Sequence, residues 1–223
     1  MYHSVGRNNA FFTVSPESFE GQMSYLAANH YRVVSVSELL GILENRKKTP
    51  AKTVVITFDD GYQDNYHNVF PALKKYAFPA AIFLVTDSVG GDRTTSQGVT
   101  LPMLNWGQIE EMAHSGLVEF FPHSHTHPRL DSLSRKDLEQ EVRASKNILE
   151  KRLGKAVRVF AYPFGRSGRE VIDVLKREGF RAAFSIKTGR VSSKSDPFLL
   201  ERNSVDSKVT HLMFGWIVHF GRF

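Results

Sequence analysis

Six short apolar runs separated by helix-like segments restrict the fold of this chain more than any other feature. They are YRVVSV (31–36), TVVITF (53–58), AAIFLV (80–85), LVEFF (117–121), VRVFAY (157–162) and RAAFSI (181–186). A first helix is expected from Pro16 to about His30, with Ser15 as N-cap and Pro16 at the first helical position. Others are expected over VSELLGILENR, NVFPALKKYA, NWGQIEEMAHSG and REVIDVLKREG; the longest, SRKDLEQEVRASKNILEKRLG, ends on Gly154 as a C-cap. Strands alternating with helices over short connections imply parallel pairing through right-handed crossovers. With further strand candidates at residues 1–3 and in LLERNSV, the pattern predicts an α/β fold, a distorted (β/α) barrel of seven or eight mostly parallel strands. An open doubly wound sheet is the alternative. No repeat or linker divides the chain, so residues 1–223 are expected to form one domain with a truncated first strand. The long polar segment at residues 86–104 is a candidate lid or substrate-contacting loop.

The chain is long enough to bury a full core, at 223 residues and 41% hydrophobic composition. No run approaches 18 apolar residues, so no transmembrane segment is expected. Residues 1–30 show no basic start followed by an apolar stretch, so no secretory signal is read, although a trimmed chain would look the same. With no cysteine, any metal must be held by His, Asp or Glu. The formal charge is +6, but the cations are scattered, as in ENRKK and RLGKAVR, and predict no nucleic-acid face. The sequence leaves the oligomeric state open.

The chemically suggestive residues gather at one end of the expected strands. His3 follows MY, Asp59 and Asp60 follow VVITF, HSHTH follows VEFF, and YPFG follows RVFA. Barrels and open parallel sheets build their sites at that carboxyl edge. Asp-Gly alone is an ordinary turn dipeptide. Two neighbouring carboxylates at the rim of a core, however, repel and lose hydration, so they persist most readily beside a cation. In PHSHTHPRL (122–130), His123 and His127 would lie about 13 Å apart along an extended strand. Pro122 and Pro128 favour a turning loop instead, in which both could reach one ion. With Asp60 they form a two-His, one-carboxylate set that leaves a coordination position for water. His125 points away or replaces one of the two.

TFDDG, followed about sixty residues later by HSHTH and then by FAYPFG, resembles the polysaccharide deacetylase family, carbohydrate esterase family four, also called the NodB homology domain. The motifs span roughly residues 53–185. The stretch from MYHSV to VSVSEL looks like the branch that deacetylates poly-N-acetylglucosamine and related envelope polysaccharides. The resemblance implies a distorted (β/α) barrel, a divalent metal (zinc first, with cobalt or nickel also serving) and hydrolysis of N-acetyl groups from an N-acetylated polysaccharide. It makes Asp59 the general base and Asp60, His123 and His127 the metal ligands, with the Tyr162 backbone N–H serving the oxyanion. It also implies a bacterial envelope or secreted protein, while a cytoplasmic location stays open.

The chain departs from the family pattern at Ala161, where many members carry an Arg that orients the base. Arg202, in LLERNSV, is the candidate replacement from a later strand. In the envelope branch the acid comes from the first strand, which makes it His3. Trp106, Tyr162 and Phe164 are the aromatic candidates to pack an acetyl methyl or a sugar face. Rival readings are a metal-dependent hydrolase of another amide or ester, and a catalytically inactive carbohydrate-binding barrel.

Overall fold

The computed structural model describes residues 1–45 and 49–221. Arg46, Lys47 and Lys48, the end of the expected second helix and of ENRKK, lie outside the described residues. In chain order the elements are α1 (Pro16–Ala28), β1 (Arg32–Val33), α2 (Val36–Glu44), β2 (Thr53–Val54), β3 (Ile56–Phe58), α3 (Phe70–Tyr76), β4 (Ala80–Leu84), β5 (Asp92–Thr94), β6 (Thr100–Pro102), α4 (Trp106–His114), β7 (Val118–Pro122), α5 (Arg135–Leu153), β8 (Val159–Ala161), α6 (Arg169–Arg177), β9 (Ala182–Phe184) and α7 (His211–Phe220).

Local chemistry sets the ends of these elements. Ser15 Oγ accepts from the Ser18 N–H at 3.1 Å and starts α1. Asn105 and Gln108 form a reciprocal capping box at α4. Gly154 ends α5 in the left-handed region, φ 64°. A wide helical turn at Asn65–Val69 leads into α3, where Pro71 lacks the N–H a regular turn would use.

All six apolar runs form strands, the second divided between β2 and β3. β1 pairs β2, β3 pairs β4, β4 pairs β7 and β8 pairs β9, every one of them parallel. All five residues of β4 are buried, as a parallel strand covered on both faces requires. Tyr2 bridges Phe58, and Leu200 bridges Phe184, so both extra strand candidates pair as single residues. The Met1 amine donates to Asn203 O at 2.8 Å, joining the first segment to the last paired one.

The ladders form an α/β fold of small separate sheets. Among the described residues no ladder joins β7 to β8, so the hydrogen bonding does not close the barrel expected from the sequence. Among those residues β8 pairs only with β9, through three residues. The loop at residues 86–104 is an antiparallel hairpin, β5 with β6, strapped down by Leu104 N to Gly61 O and Gln63 N to Pro102 O. One large apolar core runs from Tyr2 to Phe214 through the strands and the buried faces of the helices. Among the described residues no helix is long and apolar enough to cross a membrane.

Candidate active site

The backbone brings two strand ends together before any side chain is considered. Asp59 N donates to Tyr2 O at 2.9 Å, Val85 N to Asp60 O at 3.3 Å, and His123 N to Leu84 O at 2.8 Å. Asp59 and Asp60 thus leave β3 beside β4, and His123 leaves β7 on the other side of β4. Asp60, Ser124, His127 and Phe164 all have positive φ, between 57° and 70°. Non-glycine residues in that region store strain, and four of the seven such residues in the described chain lie around this one site.

The two aspartates have different surroundings. Arg202 donates to Asp59 twice, Nη1 to Oδ1 at 2.6 Å and Nη2 to Oδ2 at 2.8 Å. Its Nε is fixed on Ser185 O at 3.0 Å, and its guanidinium lies over the rings of Phe83 and Phe184. Arg202, the residue named from the sequence as a replacement for the missing motif Arg, is therefore paired with Asp59. Asp60 Oδ1 is buried without a hydrogen-bond partner and lies 3.3 Å from His127 Nε2 and 3.8 Å from His123 Nε2.

His123 Nδ1 bonds Ala161 O at 2.9 Å. A carbonyl only accepts, so Nδ1 carries the proton and Nε2 presents a lone pair toward Asp60. Burial holds His123 below the usual imidazole range, and burial with the neighbouring His123 pushes His127 down to about 3. Both rings are neutral at pH 7, the form that binds metal. Burial alone would raise the Asp59 carboxyl, but Arg202, joined by His123 and His3, holds it well below the usual carboxylate range. His127, His3, His123 and Arg93 similarly outweigh burial at Asp60.

Ligand atoms of Asp60, His123 and His127 lie within 4.8 Å of one another. An orphaned buried carboxylate oxygen facing two neutral imidazole nitrogens fits a divalent transition metal. His125 is turned away, with Nδ1 on Thr86 Oγ1 at 2.9 Å, so it does not replace either ligand.

The remaining sequence candidates divide. His3 packs on Phe12 with ring centroids 5.2 Å apart and lies within electrostatic reach of both aspartates. Phe164 is 53% exposed and stands edge-on to His127 at 4.6 Å. Tyr162 is fully buried; its hydroxyl donates to Phe198 O at 2.9 Å and its N–H to Phe184 O at 3.1 Å. Both donors are thus spent inside the protein, and the ring is a core residue without access to a sugar. Trp106 is half-buried against the core under the Arg152 guanidinium, 4.9 Å away.

Two residues that the sequence reading passed over belong to the site. Glu141 of α5 clamps the histidine loop: Oε2 accepts from the His125 and Thr126 N–H groups, both at 2.9 Å, and Oε1 from Thr126 Oγ1 at 2.7 Å. A glutamate in the middle of a charged helix gives no local sign of this. Arg93, on the hairpin, lies 3.8 Å from Asp60 Oδ1, and a cation in a polar loop is equally unremarkable in sequence.

Residues 46–183 match the model of the family described as polysaccharide deacetylase. A poly-beta-1,6-N-acetyl-D-glucosamine N-deacetylase of Staphylococcus aureus is 28% identical over 214 residues, covering 92% of this chain and 72% of its own. Two solved structures superpose closely. The Streptococcus pyogenes deacetylase PplD, in complex with acetate, has a TM-score of 0.83 at 26% identity, over 96% of this chain and 93% of its own. IcaB from Ammonifex degensii has a TM-score of 0.83 at 26% identity, over 100% of this chain and 95% of its own.

Proposed function

This chain belongs to the polysaccharide deacetylase family, and from that premise we propose that it removes N-acetyl groups from N-acetylglucosamine-type residues of an envelope polysaccharide, at the cell envelope or after secretion. We read its small parallel sheets as sectors of one distorted (β/α) barrel, with the site at the carboxyl edge. The observation that carries the proposal is the side-by-side placement of a buried, Arg-gripped carboxylate, Asp59, and an ungripped one, Asp60, that faces two neutral histidines. A binding-only protein would have no use for the first.

Asp60, His123 and His127 would hold a divalent metal, with zinc the first choice and cobalt or nickel able to serve. When bound, such an ion acidifies water toward a pKa of about 7 and polarises a carbonyl. Asp59 accepts the proton of the attacking water; its depressed pKa keeps it ionised, and Arg202 fixes both its oxygens so that it approaches from one direction. His3 gives a proton to the departing sugar nitrogen, which leaves with difficulty unprotonated. Phe164 offers an exposed face beside His127 for the acetyl methyl or the sugar ring.

The test is acetate release from N-acetylglucosamine oligomers by chelated protein, before and after zinc, cobalt or nickel is restored. Activity that returns with the metal supports the reading. Metal-independent release, or none under any metal, contradicts it.

A further inference from the structure

A general acid works only where it is held against the departing group, and a misplacement of about 1 Å can cost about 10²-fold in rate. Among the described residues the first segment pairs with β3 at one bridge, Tyr2 with Phe58, and His3 lies one residue beyond it. The ladder therefore ends just before the acid. We propose that Asn65 is a positioning residue that holds His3 against the loop carrying Asp59 and Asp60, and so fixes the distance from acid to base.

Three observations point to Asn65. Its Nδ2 donates to His3 O at 3.0 Å, across 62 positions of the chain, and to Asp64 Oδ1 at 3.0 Å, with the residue fully buried. The Asp64 carboxyl in turn bonds the Ser4 hydroxyl, so the residue after His3 is tied to the same place. Next, the loop from Asp59 to Asn65 is bonded to itself, Gly61 N to Asp59 O at 2.9 Å and Asn65 N to Tyr62 O at 3.0 Å. Base, metal ligand and tether thus ride on one loop. Last, the amide is not satisfied by this arrangement. Turning it over would aim Oδ1 at the two oxygens that Nδ2 now meets, so those partners fix which atom faces His3. Oδ1 is then left buried and without a partner among the described residues. That costs stability, which an apolar side chain of the same size would avoid.

The contact selects the role. Asn65 is the first residue of the wide turn before α3, and its backbone serves that turn, Asn65 O accepting from the Phe70 N–H. The side chain is thereby free to cross to the first segment. It bonds the main-chain carbonyl of His3 and not the imidazole, so it sets where the ring stands and leaves the ring nitrogens to the substrate. Phe12 packs against the ring itself, with centroids 5.2 Å apart. As the C–N bond breaks, its electron pair goes to nitrogen and the proton comes from His3; Asn65 neither gives nor takes one.

This inference rests on the deacetylase reading with His3 as its acid, and its test separates the two. Asn65→Leu, which keeps the volume, Asn65→Ala, His3→Ala and the double variant His3→Ala/Asn65→Leu are compared with the unaltered protein. The measurements are metal affinity by chelator competition, kcat and KM on N-acetylglucosamine oligomers, turnover of an activated aryl acetate, and the His3 ring signals by NMR. Asn65→Leu and Asn65→Ala should bind metal normally and lose about 10- to 100-fold in kcat on the oligomers with little change in KM. The aryl acetate should be turned over nearly as before, and the His3 ring signals should broaden or multiply. The double variant should be no slower than His3→Ala, because the two residues act as a unit. Unchanged amide turnover, equal losses on amide and ester, losses that multiply in the double variant, or a loss of metal matching the loss of activity would overturn the assignment. Failure of both Asn65 variants to fold would make the residue structural and overturn it as well. Should the unaltered, metal-loaded protein release no acetate from any oligomer, or His3→Ala keep its amide turnover, the reading beneath fails. The His3 ring signals then decide Asn65 alone: broadened or multiplied in Asn65→Leu they support the tether, unchanged they overturn it.

Discussion

Arg202 and Asp59, 143 positions apart, meet in a two-point hydrogen-bonded pair at 2.6 and 2.8 Å, with both side chains almost fully buried. The guanidinium comes from the segment after β9, and under the proposed function it takes the part that the family pattern gives to the position of Ala161. Arg202→Met would leave a buried carboxylate uncompensated and should destabilise the protein by about 3–5 kcal/mol. Arg202→Lys keeps the charge but loses the planar fork. It should fold, bind metal normally and lose about 10²-fold in kcat, with the acid limb of the pH–rate profile moved to higher pH as Asp59 becomes easier to protonate. An unshifted acid limb would mean that Arg202 does not control the base.

His3 is tested by the leaving group. His3→Ala should retain metal and lose most of its turnover on the amide, while an activated aryl acetate, whose leaving group needs no proton, should suffer much less. Equal losses on both substrates would reduce His3 to a packing partner of Phe12.

Glu141 should act on the metal without touching it. Removing its three hydrogen bonds in Glu141→Ala frees the turn between His123 and His127, and metal affinity should fall about 10–100-fold, as for other groups that orient ligands. Exchange of the His125 and Thr126 amides in the metal-free protein should quicken as well. Normal exchange with normal affinity would show the clamp to be idle.

Asp64 gives a stability signature outside the ligand set. Burial pushes its carboxyl up to about 6 from an ordinary 3.8, despite hydrogen bonds from Ser4, Val5 and Asn65. A raised folded-state value means that its contribution to stability is fully present below pH 3.8 and is lost as pH rises through about 6. Asp64→Asn should therefore stabilise the metal-free protein by about 1–3 kcal/mol at pH 8 and by nothing near pH 3.5, in urea unfolding. Asp59 and His127, with depressed values, lose stability as pH falls in both proteins and cancel from the difference. An equal effect at both pH values would contradict the raised value.

The parts of this site legible in the sequence are those written in consecutive residues. TVVITF ends on Asp59 and Asp60 because an apolar strand delivers its next residues to the rim, and the prolines around His123 and His127 signalled a turn. Arg202 could be named because a known pattern lacked its arginine. Tyr162 was misread because nothing local shows that its hydroxyl reaches Phe198 O or that its N–H pairs with Phe184 O. Arg93 and Glu141 were invisible for the same reason: their partners lie on other elements. The barrel was read from strand count, whereas whether β7 pairs with β8 depends on segments far apart in the chain, and among the described residues no ladder joins them.

The central claim is that adjacent aspartates divide the work, Asp60 with the metal and Asp59 with the proton. Metal stoichiometry and acetate release measured together in Asp59→Asn, Asp60→Asn and His127→Ala test it most directly. Asp59→Asn should keep one metal per chain and release almost no acetate, while Asp60→Asn and His127→Ala should lose both together. Full metal occupancy in His127→Ala, or loss of metal in Asp59→Asn with retention in Asp60→Asn, would contradict the account.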